Sequence, residues 1–235
     1  MPRATPGRRE RTEGVRGGRE ASIGESKANE TGRVEAFSDG VFAIAITLLI
    51  LEVHVPKGLQ GRSLTDAVLA EWPSYAAFLT SFFTIGIMWI NHHRLFTLIR
   101  RVDTWLLVLN MLLLLGVTIV PFPTAFVADY LGHPGERLAA VLYAANGLNI
   151  ALWFWGLWMY TASPRRRPRL LKNPPESAEV KAINSQYRFG PLFYVVAVGL
   201  ALLNAGISMA YCGALALFFA LPPRRNRDLI GHSGK

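Results

Sequence analysis

The stretch GRVEAFSDGVFAIAITLLILEV, residues Gly32–Val53, is long enough and apolar enough to cross a lipid bilayer. Its first half nevertheless carries polar and charged side chains, those of Arg33, Glu35, Ser38 and Asp39. The hydrocarbon core penalises such groups, and membrane helices that keep them generally mark functional sites. The stretch therefore predicts a membrane helix whose polar start and apolar second half have different roles.

The composition of the whole chain agrees with a membrane protein. Of its 235 residues, 51% are hydrophobic and only 17% are charged, whereas soluble domains carry roughly 25% charged residues. The mean hydropathy is +0.26. Cys212 is the only cysteine, which excludes a disulfide within one chain and a metal site built from cysteines.

Six segments are apolar enough to be transmembrane helices, which predicts an all-α membrane protein with six spans per chain. They are Gly32–Val53, Glu71–Asn91, Val102–Phe126, Glu136–Thr161, Phe189–Ala205 and Ile207–Leu221. The last two are short and nearly contiguous, so one kinked segment is an alternative interpretation. Together they are too long for a single crossing, which favours two helices joined by a tight turn near residues 204–208.

The lysines and arginines predict how these helices are oriented. With six crossings, 22 of the 25 fall on the side that holds both chain ends, and only Lys57, Arg62 and Arg137 fall on the other side. Cytoplasmic loops carry the excess of Lys and Arg, so both termini are expected in the cytoplasm. The net charge of +9 then reflects topology and contact with lipid headgroups rather than nucleic-acid binding.

Three regions follow from this pattern. Residues 1–30 contain many Arg, Gly, Glu and Ser residues and little that could be buried, which predicts a disordered basic cytoplasmic tail. An arm that binds lipid or nucleic acid is the alternative for this segment. Residues 31–221 form the six-helix domain, and residues 222–235 form a basic cytoplasmic C-terminal tail.

One face of the first helix could line a narrow pore. Gly40, Ile44, Thr47, Leu48 and Leu51 share a stripe because residues three and four apart lie on the same side of a helix. Rings of apolar side chains can form a constriction that dehydrates an ion, and a ring of hydroxyls can replace part of its water shell. The alternative is that the stripe packs against other helices, with the Thr47 hydroxyl bonded to a helix carbonyl.

The carboxylate of Asp39 lies one to two turns into the helix and needs a partner there. Arg33, His92, His93 and Arg94 are candidates, since the predicted topology places them at the same membrane face. A clamp that fixes the first helix is favoured over a reactive group, because an intramembrane ion pair is usually a satisfied one.

No tightly bound metal, cofactor or catalytic site is expected. Adjacent side chains such as His92 and His93 point about 100° apart on a helix and do not readily share one ion. The chain lacks GxSxG, HExxH, Walker and Rossmann patterns, so an enzyme is not expected. It also lacks a TVGYG-like selectivity filter and a helix with Arg at every third position.

The first helix resembles a known family. Arg33-x-x-x-Phe37-Ser38-Asp39 is similar to the R-x-x-x-F-S-D signature of the transmembrane protein 175 family of lysosomal and bacterial potassium channels. Trp89-x-x-His92, Asn110 and the Pro121-Phe122 pair also fit the family pattern, and the resemblance covers about residues 33–211. Neither tail is part of it.

The resemblance implies a potassium-selective channel without a pore loop, assembled as a homotetramer in a prokaryotic plasma membrane. The first helices would line a central pore within residues 31–221, with Ile44 as the constriction. The Thr47 hydroxyl would tune selectivity and meet K⁺ transiently, and Leu48 and Leu51 would add apolar layers. The remaining motif residues would hold the first helix in place, namely Arg33, Phe37, Ser38 and Asp39 together with Trp89, His92 and Asn110.

Two other functions stay open at this stage. One is a proton-coupled cation or solute transporter in which Asp39 titrates, and the other is a membrane scaffold without conductance. The expected partners are further copies of the chain, membrane lipids and K⁺, and no nucleic acid is expected.

Overall fold

The computed structural model describes residues 30–56, 61–163, 170–174 and 176–220, so almost all of both predicted tails lies outside the described residues. In these ranges the regular structure is helical, apart from an isolated bridge between Ile99 and Leu171. The first helix, α1, covers residues 30–48 and ends in a 3-10 turn at Leu49–Glu52. The others are α2 (Leu64–Ala70), α3 (Trp72–Leu98), α4 (Thr104–Ile119), α5 (Pro121–Tyr130), α6 (Glu136–Ala162), α7 (Ala178–Tyr187), α8 (Gly190–Leu203) and α9 (Ala205–Ala220).

Among the described residues, five helical segments are long and apolar enough to cross a membrane. They are Glu30–Glu52, Trp72–Leu98, Thr104–Tyr130, Glu136–Ala162 and Ala178–Leu203. The first four confirm the first four predicted spans. Their bounds differ from the predicted ones by at most four residues, except that the second span ends at Leu98 instead of Asn91. The third span is α4 and α5 together. They join at Val120, because Pro121 has no N–H to continue the hydrogen-bond ladder of α4.

The last part of the chain differs from the other spans. The fifth segment combines the polar helix α7 with the apolar helix α8, and α9 is a separate apolar helix of 16 residues. The chain becomes extended at Asn204, whose side-chain Oδ1 accepts a hydrogen bond of 2.9 Å from the N–H of Ile207. This break lies at the start of the predicted turn over residues 204–208 and confirms that two helices are present.

Two basic loops meet at one end of the bundle. The backbone N–H of Arg100, after α3, donates to the carbonyl of Leu170 at 2.7 Å, and the N–H of Lys172 donates to Leu98 at 2.9 Å. The Lys172 ammonium also donates to the carbonyl of Thr97 at 2.7 Å. The loops that follow α3 and α6 therefore lie on the same side, as their charge predicts. We call this side the basic end.

The core has two main parts. One joins α1, α3, α4 and α6 through large side chains, including Phe42, Leu49 and Trp158, which are at most 1% exposed. The other joins α3, α5, α6, α8 and α9 through smaller residues. A Cβ at Gly147 would lie 2.4 Å from the ring of Tyr194, so α6 and α8 pack this closely only with glycine at that position. The first part of the core positions the buried face of α1.

Candidate functional site

A chain of three hydrogen bonds ties the start of α1 to α3 and α4. The Nε2 of His92 lies 2.9 Å from the Oδ1 of Asn110, and the Nδ2 of Asn110 donates to the Ser38 hydroxyl at 3.0 Å. That hydroxyl donates to the carbonyl of Val34 at 2.9 Å. Ser38, His92 and Asn110 are at most 2% exposed. Buried polar groups need such partners, so the chain forms a polar anchor for α1.

The directions of the hydrogen bonds in this anchor determine which nitrogen of His92 carries the proton. Because the amide oxygen of Asn110 only accepts, His92 must donate from Nε2, and its Nδ1 is then unprotonated in the neutral ring. Nδ1 is buried and receives no hydrogen bond from the described residues. The ring stacks on Phe96, with centroids 4.3 Å apart, and lies 5.3 Å from the ring of Phe42. These contacts describe a neutral, structural imidazole.

Asp39 has a different partner from the ionic ones expected. Its carboxylate accepts a hydrogen bond of 2.8 Å from the indole Nε1 of Trp89. Among the described residues it forms no ion pair with Arg33, His93 or Arg94. The indole reaches across because α1 and α3 run antiparallel at this level. Asp39 therefore belongs to the anchor, as the family resemblance implied, but not through an ion pair.

A second pair at the same level was not predicted. The Nδ1 of His93 lies 2.6 Å from the Oε1 of Glu35. Glu35 and Asp39 are four residues apart on α1, and Trp89 and His93 are four apart on α3. Two residues with i, i+4 spacing on each of two antiparallel helices can form two adjacent pairs. That spacing is the signal in the sequence that could have revealed the pair.

Two of the predicted motif residues, Arg33 and Phe37, do not take part in the anchor. Both side chains are exposed, Phe37 at 55%. Arg33 forms no ion pair with any described residue. Within one chain, the anchor therefore consists of Ser38, Asp39, Trp89, His92 and Asn110.

The second half of α1 has two different faces. Phe42, Ala45 and Leu49 are at most 1% exposed and pack in the core. The opposite stripe is exposed along its whole length, at 61% for Ile44, 42% for Leu48 and 68% for Leu51, and Gly40 and Thr47 on the same stripe are exposed as well. All members of the predicted pore stripe thus share one open face, which we call the open face of α1.

The hydroxyl of Thr47 is the polar group in the apolar part of this face. It donates to the carbonyl of Ile44 at 2.9 Å, one turn back on the same helix. Its hydrogen is therefore used within the helix, and the oxygen of this exposed side chain can still accept hydrogen bonds. No group of three or more potential metal-ligating side chains occurs in the part of the chain that the structure describes.

The fold and this site define a class of protein, an all-helical membrane protein whose first helix is anchored by polar bonds and open along one face. Residues 33–121 match the family model of the endosomal/lysosomal potassium channel TMEM175. A potassium channel of Chamaesiphon minutus is 51% identical over 195 residues, which cover 82% of this chain and 95% of that protein. The chain belongs to the TMEM175 family.

Other relatives agree with this assignment. A potassium channel of Streptomyces collinus is 45% identical, over 81% of this chain and 92% of that protein. The crystal structure of a lysosomal potassium-selective channel TMEM175 homolog from Chamaesiphon minutus matches with a TM-score of 0.75 and 49% identity, covering 84% of this chain and all of that one. The human endosomal/lysosomal proton channel TMEM175 is 35% identical over 52% of this chain and 27% of its own length.

Proposed function

We propose that this chain is one subunit of a homotetrameric potassium-selective channel in which four copies of α1 surround a central pore. Ile44 forms the constriction, the Thr47 hydroxyls form a polar layer, and Leu48 and Leu51 form further apolar layers. K⁺ passes without a tightly bound site. The names of the bacterial relatives and the residues of the first-helix motif support this proposal.

The observation that carries the proposal is how little of α1 a single chain covers. Only 22% of the apolar stretch of the α1 span is buried, against 44% for each of the next two spans, 39% for α6 and 29% for the span Ala178–Leu203. Despite this, the polar anchor and the core fix the helix firmly on one side. A helix that is held in a defined orientation while its other face stays open is suited to meet copies of itself around an axis.

The chemistry of the open face fits a dehydrating constriction. An apolar ring at Ile44 offers an ion no ligand, so an ion must lose water to pass. The hydroxyl oxygen of Thr47, one turn further on, would then replace some of that water. Four chains would supply four hydroxyl oxygens at one level, which no single chain can do.

The same proposal includes the topology. α7 is polar on most of its surface, so the fifth crossing is made by α8 and the sixth by α9. A helix of 14 residues such as α8 is about 21 Å long, which is short for a bilayer and calls for local thinning or for flanking residues to complete the crossing. With six crossings, both termini lie in the cytoplasm of a prokaryotic cell.

Accessibility of residue 47 to a thiol reagent tests the proposal. In a Cys212→Ser background, which removes the only native cysteine, Thr47→Cys places one thiol on the open face. We expect a water-soluble methanethiosulfonate reagent to block K⁺ flux into proteoliposomes by this variant. The control is Leu192→Cys on α8, at a position that is also exposed, 57%, but on a different helix.

The ion that moves is tested with the same vesicles. We expect K⁺ flux to exceed Na⁺ flux and to continue without a proton gradient. Proton flux is measured in parallel, because the vertebrate relatives are named as proton channels. A flux that stopped when the proton gradient was removed would favour a transporter that titrates Asp39, and block of Leu192→Cys as strong as that of Thr47→Cys would contradict the pore assignment.

A further inference from the structure

A cavity of about 60 Å³ lies between α3, α6, α8 and α9, with Tyr187 at the end of α7 also in its wall, and no residue of α1 contributes to it. The wall is mainly apolar and includes Met88, Ile150, Phe154, Trp155 and Phe219. One buried water needs roughly 10–15 Å³, so this space is several times larger than a water site. A smaller cavity is lined by four of the same residues, Thr84, Met88, Ile150 and Tyr194, so the two lie side by side along α3, and we call them together the track.

The polar side chains Thr84 and Asn91 in this wall are already hydrogen-bonded to the protein. The Thr84 hydroxyl donates to the carbonyl of Thr80 at 2.7 Å. The Nδ2 of Asn91 donates to the carbonyls of Ile87 and Phe219, at 3.0 and 3.1 Å, and its Oδ1 accepts from the Tyr187 hydroxyl at 3.2 Å. The wall therefore has little to offer an ion or a water, and it suits a hydrocarbon chain.

A cation with one unsatisfied nitrogen follows the wall along α3. Arg94 is one turn past Asn91 towards the basic end, and it is near enough to Tyr187 for their charges to interact. Its Nη1 is buried, and no described residue accepts a hydrogen bond from it. Arg188 follows Tyr187 directly and is exposed. A buried guanidinium nitrogen without an acceptor is costly, and a phosphate oxygen would satisfy it.

The length of the track decides between a short solute and a lipid. Thr84 and Arg94 are ten residues apart on α3, which is about 15 Å along the helix. Half of the hydrocarbon core of a bilayer is also about 15 Å. The track therefore runs from the headgroup level at the basic end to about the middle of the membrane, as an acyl chain of one leaflet does.

We propose that this track is a binding site for an anionic phospholipid, with one acyl chain between α3, α6, α8 and α9 and the phosphate at Arg94 and Arg188. The site is built from helices that do not line the proposed pore. It does not depend on conduction, and its test needs no flux measurement.

Native mass spectrometry of the full-length protein in detergent tests the site directly. The protein is titrated with phosphatidylglycerol or with phosphatidylcholine of the same chains, and the lipid that stays bound per subunit is counted. A basic side chain near a membrane surface contributes about 1 kcal/mol towards an anionic lipid, so we expect phosphatidylglycerol to bind about fivefold more tightly. Arg94→Gln should remove most of this preference, because only the exposed Arg188 then remains, and Arg94→Lys should keep most of it.

Matched variants separate the site from general lipid adhesion. Arg100→Gln removes an exposed cation from the same basic end and should leave the preference intact. Ala151→Phe fills the track and should reduce retention of both lipids, whereas Ala145→Phe, on an exposed position of the same helix, should not. Equal loss in Arg100→Gln and Arg94→Gln would overturn the proposal. So would unchanged lipid retention in Ala151→Phe combined with a lower oligomer yield, which would indicate that a second copy of the chain fills the track.

Discussion

The two halves of α1 are held by different forces. At its start, the helix is held by polar side chains, since the bonds of Ser38 and Asp39 reach α4 and α3. From Ala45 onward the buried face is apolar and packs by shape alone. Hydrogen bonds fix direction and rotation, whereas apolar packing tolerates small shifts. The comparison teaches that the polar residues set the orientation of the helix, and that the open face of the apolar half is left for another task.

The largest effect is expected from breaking the polar anchor at its centre. Asn110→Leu would leave the buried Nε2 of His92 without an acceptor, and Ser38 would lose its donor and keep only its own bond to the carbonyl of Val34. The unsatisfied His92 nitrogen costs about 1–3 kcal/mol and the lost bond to Ser38 about 0.5–1.5 kcal/mol, so we expect a loss of roughly 1.5–4.5 kcal/mol of stability. This loss of stability is measured by heating the protein and using size-exclusion chromatography to determine how much stays folded at each temperature. Asn184→Leu on the exposed side of α7 is the control, and equal thermal stability of the two variants would show that the anchor is dispensable.

A smaller loss is expected at the neighbouring contact. Asp39→Ala removes the acceptor for Trp89 and should cost about 1–2 kcal/mol and lower the oligomer yield, while the ratio of K⁺ to Na⁺ flux stays within about twofold. Asp39→Asn retains a side-chain oxygen and should recover most of the yield. Normal assembly together with an altered ion ratio would place Asp39 in the ion path instead.

On the open face the expected effect is on selectivity rather than on folding. Ile44→Asn puts a polar side chain at the proposed constriction and should reduce the ratio of K⁺ to Na⁺ flux about tenfold, equivalent to about 1.4 kcal/mol. Folded yield should not change, because the side chain is 61% exposed within the chain. Ile44→Leu keeps the apolar ring and serves as control. A wild-type ratio in Ile44→Asn would contradict the role of this position.

A weaker change in selectivity is expected one turn further along. Thr47→Ala removes the proposed hydroxyl layer and should lower the ratio of K⁺ to Na⁺ flux about two- to threefold, or roughly 0.5 kcal/mol. Thr47→Ser keeps the hydroxyl and should behave like the native chain in the same flux assay. If Thr47→Ser and Thr47→Ala were equally impaired, packing of the methyl group rather than the hydroxyl would be the cause.

The smallest effect is expected for the pair of Glu35 and His93. The two side chains are 23% and 53% exposed, and ion pairs in such settings contribute about 0–1 kcal/mol. Glu35→Ala should therefore lower thermal stability only slightly, and less so in high salt. A loss as large as that of Asp39→Ala would mean that this pair is part of the anchor.

The sequence predicted the long helices well and the short ones poorly. The first four spans are read directly from apolar length, because few other structures bury 20 apolar residues in a row. α2 and α7 were missed, since each is short and polar enough to resemble a loop. Both begin with a serine that accepts a hydrogen bond from a backbone N–H three residues on, at Ser63 and Ser177, a capping signal that was present in the sequence.

At the candidate site, the sequence predicted which residues meet but not how they pair. Topology and the family motif brought Ser38, Asp39, Trp89, His92 and Asn110 to one membrane face. In the structure Asp39 bonds to Trp89, and Asn110 bonds to both Ser38 and His92. The partner of Asp39 depends on the rotation of α3 about its axis, which no linear pattern encodes. From charge alone, an arginine or a histidine was the expected partner of Asp39, whereas in the structure its partner is the indole of Trp89.

The 3-10 turn that ends α1 changes the spacing of its last side chains. In a 3-10 helix, residues three apart lie directly above one another and each residue rises about 2.0 Å, against 1.5 Å in an α-helix. Leu48 and Leu51 are therefore aligned along the helix axis rather than offset around it. If α1 surrounds an axis, the two leucines of each copy would form successive layers of one hydrophobic sleeve about 6 Å long, whereas α-helical winding would rotate Leu51 about 60° away from Leu48.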